Sequence, residues 1–491
     1  MVPESYDKEI DIDSNMGDIY AKGSFTKAKL VVDLGDIISE IDAQYLEAYT
    51  NAGSSKITGT GGSEPLFGNL TVAANPAKLK LEKNIKIAGT FTKNGGFYAN
   101  DYTTVTFTNL TSTITAPVNS EPTFWNLTIA GSAGLQLGSN IKIAGTFTNN
   151  GSFTHNSKAV TFVGFGSKIT GTATETEFST LAIDKRELPP PPPYNKVTLA
   201  NGKKIKIKVF KNIYKGTFNA GSGTEITVTE EFDNTDGTFE PETSTVKLVP
   251  SGNTVTIKGT GNATDTKFYK LKLINGGNKT LKIKNKISVA EKGLELEGGS
   301  ASPPSKDPLT VSPESAGVIN FYTPPTPITG TPPKGKYLTV KAGIPIAGGT
   351  YTVVQSKPQG TPSANWIFED CLSDMTWTGG NSTQNWNDYT NWSPNGIPGI
   401  HTPVTIQTTS RYPKLTANVS AESVTVNSGA ELDLTHYTIK KGPPTAKLTN
   451  NGTIKMTGSG DQLSWFSAGN NDNITLGNTS TVEYYDAPPS N

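Results

Sequence analysis

Short runs along the chain alternate apolar and polar residues with a period of two. Ile85-Lys-Ile87, Thr104-Val-Thr-Phe107, Ala159-Val-Thr-Phe162 and Tyr351-Thr-Val-Val354 show it. A period of two puts one set of side chains on each face of an extended backbone, so each run predicts a short strand buried on one side. The runs are separated by turn signals such as Asn94-Gly-Gly and Asn149-Asn-Gly-Ser. Gly and Asn accept the positive φ that tight turns require. The intervals are too short for helical crossovers, which leaves antiparallel meanders or a parallel β-solenoid.

The runs recur in a fixed order. Phe67-Gly-Asn-Leu-Thr-Val72 returns as Phe124-Trp-Asn-Leu-Thr-Ile129, Phe178-Ser-Thr-Leu-Ala-Ile183 and Phe268-Tyr-Lys-Leu-Lys-Leu273, at offsets of 57, 54 and 90 (124 − 67, 178 − 124, 268 − 178). Ile85-Lys-Ile-Ala-Gly-Thr-Phe91 returns unchanged as Ile141-Lys-Ile-Ala-Gly-Thr-Phe147, and more loosely at Ile226–Phe232. Ser55-Lys-Ile-Thr-Gly59 returns as Ser167-Lys-Ile-Thr-Gly171. The unit is therefore about 56 residues, and one motif repeated at one spacing favours a solenoid in which equivalent residues stack at about 4.8 Å. Such a unit would hold roughly two to three coils. The third unit is longer, and part of the excess holds Pro189 to Pro193. Proline has no N–H to give to a sheet, so this stretch is expected to loop out. The fold class expected is all-β, a parallel β-helix or solenoid, in one or two solenoid segments.

The order G-T-F-T-N-N-G-S-F, V-T-F, I-T-G, F-x-N-L-T-I over residues 55–290 resembles repeats of large secreted bacterial surface proteins and adhesins. A second block has Trp377-Thr-Gly-Gly, Asn385-Trp-Asn-Asp388, Asn391-Trp-Ser-Pro394 and Gly396-Ile-Pro-Gly399. It is similar to a Trp-rich module that precedes further coils in such proteins. The resemblance implies right-handed β-helices of the pectin-lyase-like type and an extracellular or cell-surface setting. It implies little about activity, because folds of this kind carry many functions.

Outside the repeat, residues 1–50 read as an N-terminal cap or irregular segment, with an amphipathic helix fitting Asp36 to Tyr49. The repeat solenoid spans 51–300. Nine prolines make 301–335 a junction, 336–376 a small β segment, and 377–491 the Trp-rich module with a second solenoid segment.

Composition narrows the function. Only 34% of the residues are hydrophobic, less than a compact globule of 491 residues wants, whereas a solenoid needs only a thin core. The 43 basic and 43 acidic residues cancel, and only Arg186 and Arg411 are arginines. Nucleic acid as a partner is disfavoured, since phosphate recognition needs a basic surface and usually Arg. A single cysteine, Cys371, excludes a disulfide framework. No run is long and apolar enough for a transmembrane helix. The opening Met1-Val-Pro-Glu-Ser lacks the regions of a signal peptide, so an exported form is expected to be a mature or truncated chain.

Candidate chemistry is sparse. Asp11, Asp13, Asn15 and Asp18 place oxygen atoms at calcium-loop spacing, though the glycine falls one place late and no closing Glu follows; a polar turn reads equally from them. Trp377, Trp386 and Trp392 suit either a glycan-stacking platform or a packed aromatic plug. Thr104, Thr106 and Thr108 make a ladder that would order water as ice-binding surfaces do, or simply face solvent. Asp233, Asp236, Glu240 and Glu242 are the acidic cluster an enzyme would use, and also an ordinary solvated turn. No Ser-His-Asp order, phosphate loop or HExxH is present. The expectation is a non-enzymatic structural or adhesive surface protein, working through itself, surface glycans or proteins, with no cofactor beyond a calcium ion. The alternative is a carbohydrate-binding or polysaccharide-degrading β-helix.

Overall fold

Each alternating run forms a strand with its apolar positions turned inward. Val105, Phe107, Ile141, Ile143, Val160 and Phe162 are fully buried, while the Thr and Lys residues between them are not. The computed structural model describes the backbone of residues 9–14, 19–32, 37–50 and 54–57. It describes the chain from 64 to 485 apart from 73, 75–77, 100–101, 186–194, 261–265, 275–276, 300–308, 315–316, 327, 330–333, 342–345, 348, 361–364, 381–382, 458–461, 464 and 466–472, with side chains from Ile57 onward. The strands stack in parallel as a β-solenoid, about 16 turns summed over two compact units. Among the described residues there is no α-helix, only a 3-10 turn at Tyr389–Asn391.

The first unit comprises residues 1–247 with 258–269. Each coil visits three faces in turn. The first face stacks Leu66–Phe67, Ile85–Ile87, Thr104–Phe107, Asn126–Ile129, Thr146–Asn149 and Ser167–Thr170. The second stacks Leu70–Val72, Thr90–Lys93, Ser112–Thr115, Gly134–Leu137 and Ser152–Thr154. The third runs through Lys78–Leu81 and Gly96–Ala99, then Thr123–Phe124, Ile141–Ile143 and Ala159–Phe162. The Phe97 and Phe124 rings, 5.4 Å apart, join its two parts. Beyond these, long strands such as Thr176–Asp184 cover the second and third faces without a break, since Thr180 pairs with third-face Ala159. Val105 pairs with Ile85 and Leu127, giving coils of 20 and 22 residues (105 − 85, 127 − 105).

The repeat and the coil do not match. One copy holds eight strands, Ser54–Ile57 through Thr104–Phe107, and the next eight run from Ser112–Thr115 through Ala159–Phe162. A coil holds three. Eight is one short of three full coils, so each copy starts one face back from the copy before it. Phe67 lies on the first face and Leu70 on the second. Their equivalents Phe124 and Leu127 lie on the third and first. Phe178 and Leu181 lie on the second and third, with Phe178 5.7 Å from Phe153 of the second face. Equivalent residues therefore do not stack directly, contrary to the sequence expectation. Leu127 stacks between Val105 and Phe147 instead. The ladder asks only for an apolar β-former at each inward place, and every motif supplies one.

Corners are closed by asparagine. Where the backbone ladder lapses at a turn, an Asn Oδ1 accepts the N–H of the residue one coil later: Asn69 from Thr90 at 2.7 Å, Asn84 from Thr104 at 2.8 Å, Asn126 from Thr146 at 2.7 Å, Asn140 from Ala159 at 2.9 Å and Asn201 from Ser222 at 2.9 Å. Inside, phenylalanines pack ring on ring, as in Phe147, Phe153 and Phe178. Buried amides continue the pattern, Asn212 donating to Asn234 at 2.8 Å and Asn234 to Thr266 at 3.0 Å.

The long third copy keeps its register. Ser167 pairs with Val197, a coil of 30 residues (197 − 167), yet pairing on both sides is parallel and continuous. Pro189 to Pro193 lie outside the described residues. Where a helix is expected over Asp36 to Tyr49, the described part is extended: Ile37–Thr50 is a strand paired in parallel with Ile19–Val32, itself paired with Glu9–Ser14. A long in-register ladder with Ile19–Val32 pairs the backbone groups on one side of the strand, and it overrides the helical spacing of the apolar residues.

The second unit comprises residues 248–257 with 270–491. Its coils are less regular, from 15 residues at Tyr351 to Trp366 up to 32 at Lys286 to Val318 (366 − 351, 318 − 286). The Pro-rich stretch carries two strands, Leu309–Pro313 and Val318–Tyr322, paired on both sides with solenoid strands. Pro313 ends its strand, where no ladder N–H is needed. The sequence boundary at 301–335 thus falls among paired strands. A single antiparallel pair, Trp377 against Trp392, interrupts the parallel order among the pairings described.

Core and surface substitutions should separate clearly in chemical denaturation of the full chain. Phe147→Ala is expected to cost about 3–5 kcal/mol, Asn84→Ala about 1 kcal/mol, and the outward Thr106→Ala less than about 0.5 kcal/mol. Equal shifts for Phe147→Ala and Thr106→Ala would contradict the inward and outward assignment.

Candidate functional site

Three of the residue sets named from sequence have described places. Trp377, Trp386 and Trp392 are at most 1% exposed. Their rings meet edge to face, 5.1 Å between Trp377 and Trp392 and 4.8 Å between Trp386 and Trp392. Trp377 Nε1 donates to Arg411 O at 2.7 Å and Trp392 Nε1 to Trp386 O at 2.8 Å. Buried Asn391 ties the same loop by donating to Thr383 O and Asn385 O, both at 3.2 Å. A sugar stacks on an open ring face, and these rings have none, so the geometry is that of a packed plug. Asp11 and Asp13 lie on the extended strand Glu9–Ser14, while Asn15 and Asp18 fall outside the described residues.

Of the acidic candidates of the first unit, Asp233 is held apart from Glu240 and Glu242, which share one amide. Asp233 accepts from Thr235 Oγ1 at 2.6 Å and lies 3.3 Å from Lys258 Nζ. Glu240 lies 2.6 Å from Lys196 Nζ and accepts from Asn219 Nδ2 at 2.8 Å. Burial would raise the Glu240 carboxyl, but the hydrogen bonds from Lys196 and Asn219 and the Lys196 charge together hold it below its usual range. Glu242 takes the same Asn219 amide at 2.8 Å, and Asp236 is exposed.

A more concentrated group lies in the second unit, assembled from four successive coils. Asp370 Oδ2 is 2.7 Å from His401 Nδ1, and Asp370 Oδ1 accepts the His401 N–H at 2.7 Å. Gln355 Nε2 donates to Asp370 Oδ2 at 3.2 Å. Asp370 and Gln355 both take positive φ, +49° and +47°. Gly399 is required beside them, because a Cβ there would collide with the Asp370 side chain. Glu422 sits one coil on, its N–H bonded to Thr402 O at 2.8 Å. Burial raises the Glu422 carboxyl; His401 opposes this, and Asp374 and Asp370 reinforce it. A carboxylate that holds an imidazole at Nδ1 fixes the ring and leaves Nε2 to act outward. Cys371, next in sequence, is buried and its thiol is pushed up to about 12 by burial, so it is no nucleophile here. Among the described residues no group of three or more His, Cys, Asp or Glu is placed to hold a metal ion.

Lys185 closes the Thr176–Asp184 strand and is 3% exposed. Its ammonium donates to Gly164 O and, at 3.3 Å, to Ser167 Oγ. Burial pulls it down to about 7, with Asp184 opposing. Neither this lysine nor the Asp370–His401 pair was singled out in the sequence. Their members are 15 to 31 residues apart, one coil, and become neighbours only when coils stack.

No protein-family model matches the chain, no curated protein matches it, and no solved structure matches it. No helix among the described residues is long and apolar enough to cross a membrane.

Two measurements check these placements. The unfolded chain keeps the Lys185 proton up to about 10.4, whereas the folded chain releases it near 7. Between those values the unfolded state binds more protons, so stability rises with pH, by on the order of a few kcal/mol. Denaturation midpoints from pH 6 to 10 should rise in the wild type and flatten in Lys185→Met; an unchanged slope in the variant would count against the buried ammonium. Trp392→Ala should destabilise the second unit by about 3–5 kcal/mol, read from its urea transition, and a shift under about 1 kcal/mol would contradict the plug.

Proposed function

We propose that this chain is an extracellular structural or adhesive surface protein whose solenoid serves as a scaffold for attachment or self-assembly. The observation that supports this most is the eight-strand repeat turning by one face per copy around three-strand coils. It spreads the same Thr, Asn and Lys chemistry over all three faces of the first unit and builds no single line of identical sites. An enzyme concentrates its reacting groups in one place; a scaffold profits from length and from sides that are alike. The zero net charge of the chain gives it no overall long-range field and leaves contacts short-ranged. Partners fitting this reading are other copies of the chain and surface glycans or proteins.

Antibody labelling of intact native cells, with protease shaving, tests the location. Surface label removed by protease is expected, and signal confined to lysed cells would overturn the reading. Sedimentation and negative-stain microscopy of the purified chain test self-assembly.

A carbohydrate-degrading role is favoured only by the Asp370, His401 and Glu422 group. Reducing-sugar release from a panel of soluble polysaccharides, abolished by His401→Ala and by Glu422→Gln, would establish it in place of the scaffold reading.

A further inference from the structure

Five of the six tryptophans are buried to 1% exposure or less, at 366, 377, 386, 392 and 465. Trp125 alone is only partly buried. It stands at a corner of the first unit, between the third-face strand Thr123–Phe124 and the first-face strand Asn126–Ile129. Tyr102 is 79% exposed and its ring centroid lies 5.4 Å from that of Trp125, the two planes inclined at 56°. The pair is held in place. Asn126 Nδ2 donates to Tyr102 O at 3.2 Å while Asn126 Oδ1 accepts from Thr146 N at 2.7 Å. Tyr102 takes φ +69°, a strained value for a bulky residue. Beneath the indole lies Gly145, where a Cβ would stand 2.9 Å from Trp125 Cδ1 and Nε1. Any larger residue at 145 would displace the ring.

The motif does not fix a tryptophan here: the same position carries Gly68, Ser179 and the buried Tyr269 in other copies. Two large rings fixed on an exposed corner, at a position the scaffold leaves free, call for a ligand that meets aromatic faces in water. The surroundings decide its chemistry. Thr104, Thr123 and Asn126 stand beside the pair in the chain, and Asn126 is bonded to Tyr102 O, which puts hydroxyl and amide groups next to the two rings. The chain's scarcity of Arg argues against nucleic acid. A saccharide combines C–H faces, which carry partial positive charge and suit the negative face of an indole, with hydroxyls that meet Thr and Asn. We propose that Trp125 and Tyr102 form a saccharide-binding corner that takes one or two neutral sugar rings of an extended glycan. This rests on the adhesive reading above and names the site through which it acts.

The test is native affinity electrophoresis of the full chain in gels containing xylan, hydroxyethylcellulose, mixed-linkage β-glucan or mannan, followed by titration with the matching hexasaccharide. Retardation by at least one polysaccharide is expected, with affinity lowered about tenfold in Trp125→Ala and several-fold in Tyr102→Ala. Acrylamide quenching of tryptophan emission should fall on ligand binding, because Trp125 is the most accessible of the six. Unchanged circular dichroism and denaturation midpoint in Trp125→Ala exclude a folding defect. Retardation by none of the four, or retardation equal in wild type and both variants, overturns the site. So does a Trp125→Ala effect confined to sedimentation, which would make the corner a contact between copies. Loss of the site with surface labelling intact leaves the scaffold reading standing, whereas absent labelling with retained sugar binding removes the scaffold reading and not the site.

Discussion

The parallel ladder between successive coils is the constraint on which the remaining structure depends. Most strands give their N–H and C=O groups to the coils before and after them, and a buried backbone group left unpaired is costly. In the first unit the spacing that sustains the ladder is mostly about 20 residues. Inward positions must then be apolar β-formers, which the alternating runs provide. Corners, where the ladder lapses, need acceptors, and the asparagines from Asn69 to Asn201 provide them one coil ahead. The abundance of Asn at turns is thus a hydrogen-bonding requirement as much as a conformational one.

This requirement is local, and the consequences are visible in the irregular coils. A coil may gain ten residues between Ser167 and Val197, or shrink to 15 between Tyr351 and Trp366, provided its strands return to register. Prolines are accepted at strand ends, as at Pro313, because only ladder N–H groups are indispensable. The Trp-rich loop is the one described place where an antiparallel pair enters, and three packed indoles fill the space there.

Stacking also creates the chemistry. Residues one coil apart, such as Asp370 and His401 or Ser167 and Lys185, become hydrogen-bonded partners. Of the acids that looked clustered in sequence, Asp233 pairs with Lys258, while Glu240 and Glu242 meet at the Asn219 amide with Lys196 beside Glu240. Closeness along the chain was a poor guide to closeness in space, because a strand sends neighbours to opposite sides while the coil brings distant residues together.

The amino-acid sequence alone determined the strand class, the order of the motifs, the inward residues and the solenoid class, since period-two alternation and a recurrent unit are local properties. It left open whether Trp377, Trp386 and Trp392 were platform or plug, because burial depends on what packs around them. Only the tertiary structure decided which face each motif occupies. That follows from eight strands per repeat against three per coil, a ratio invisible until the pairing is known. The same pairing decided that residues 37–50 extend as a strand, that Lys185 loses its solvent, and that Trp125, among six tryptophans, remains at the surface beside Tyr102.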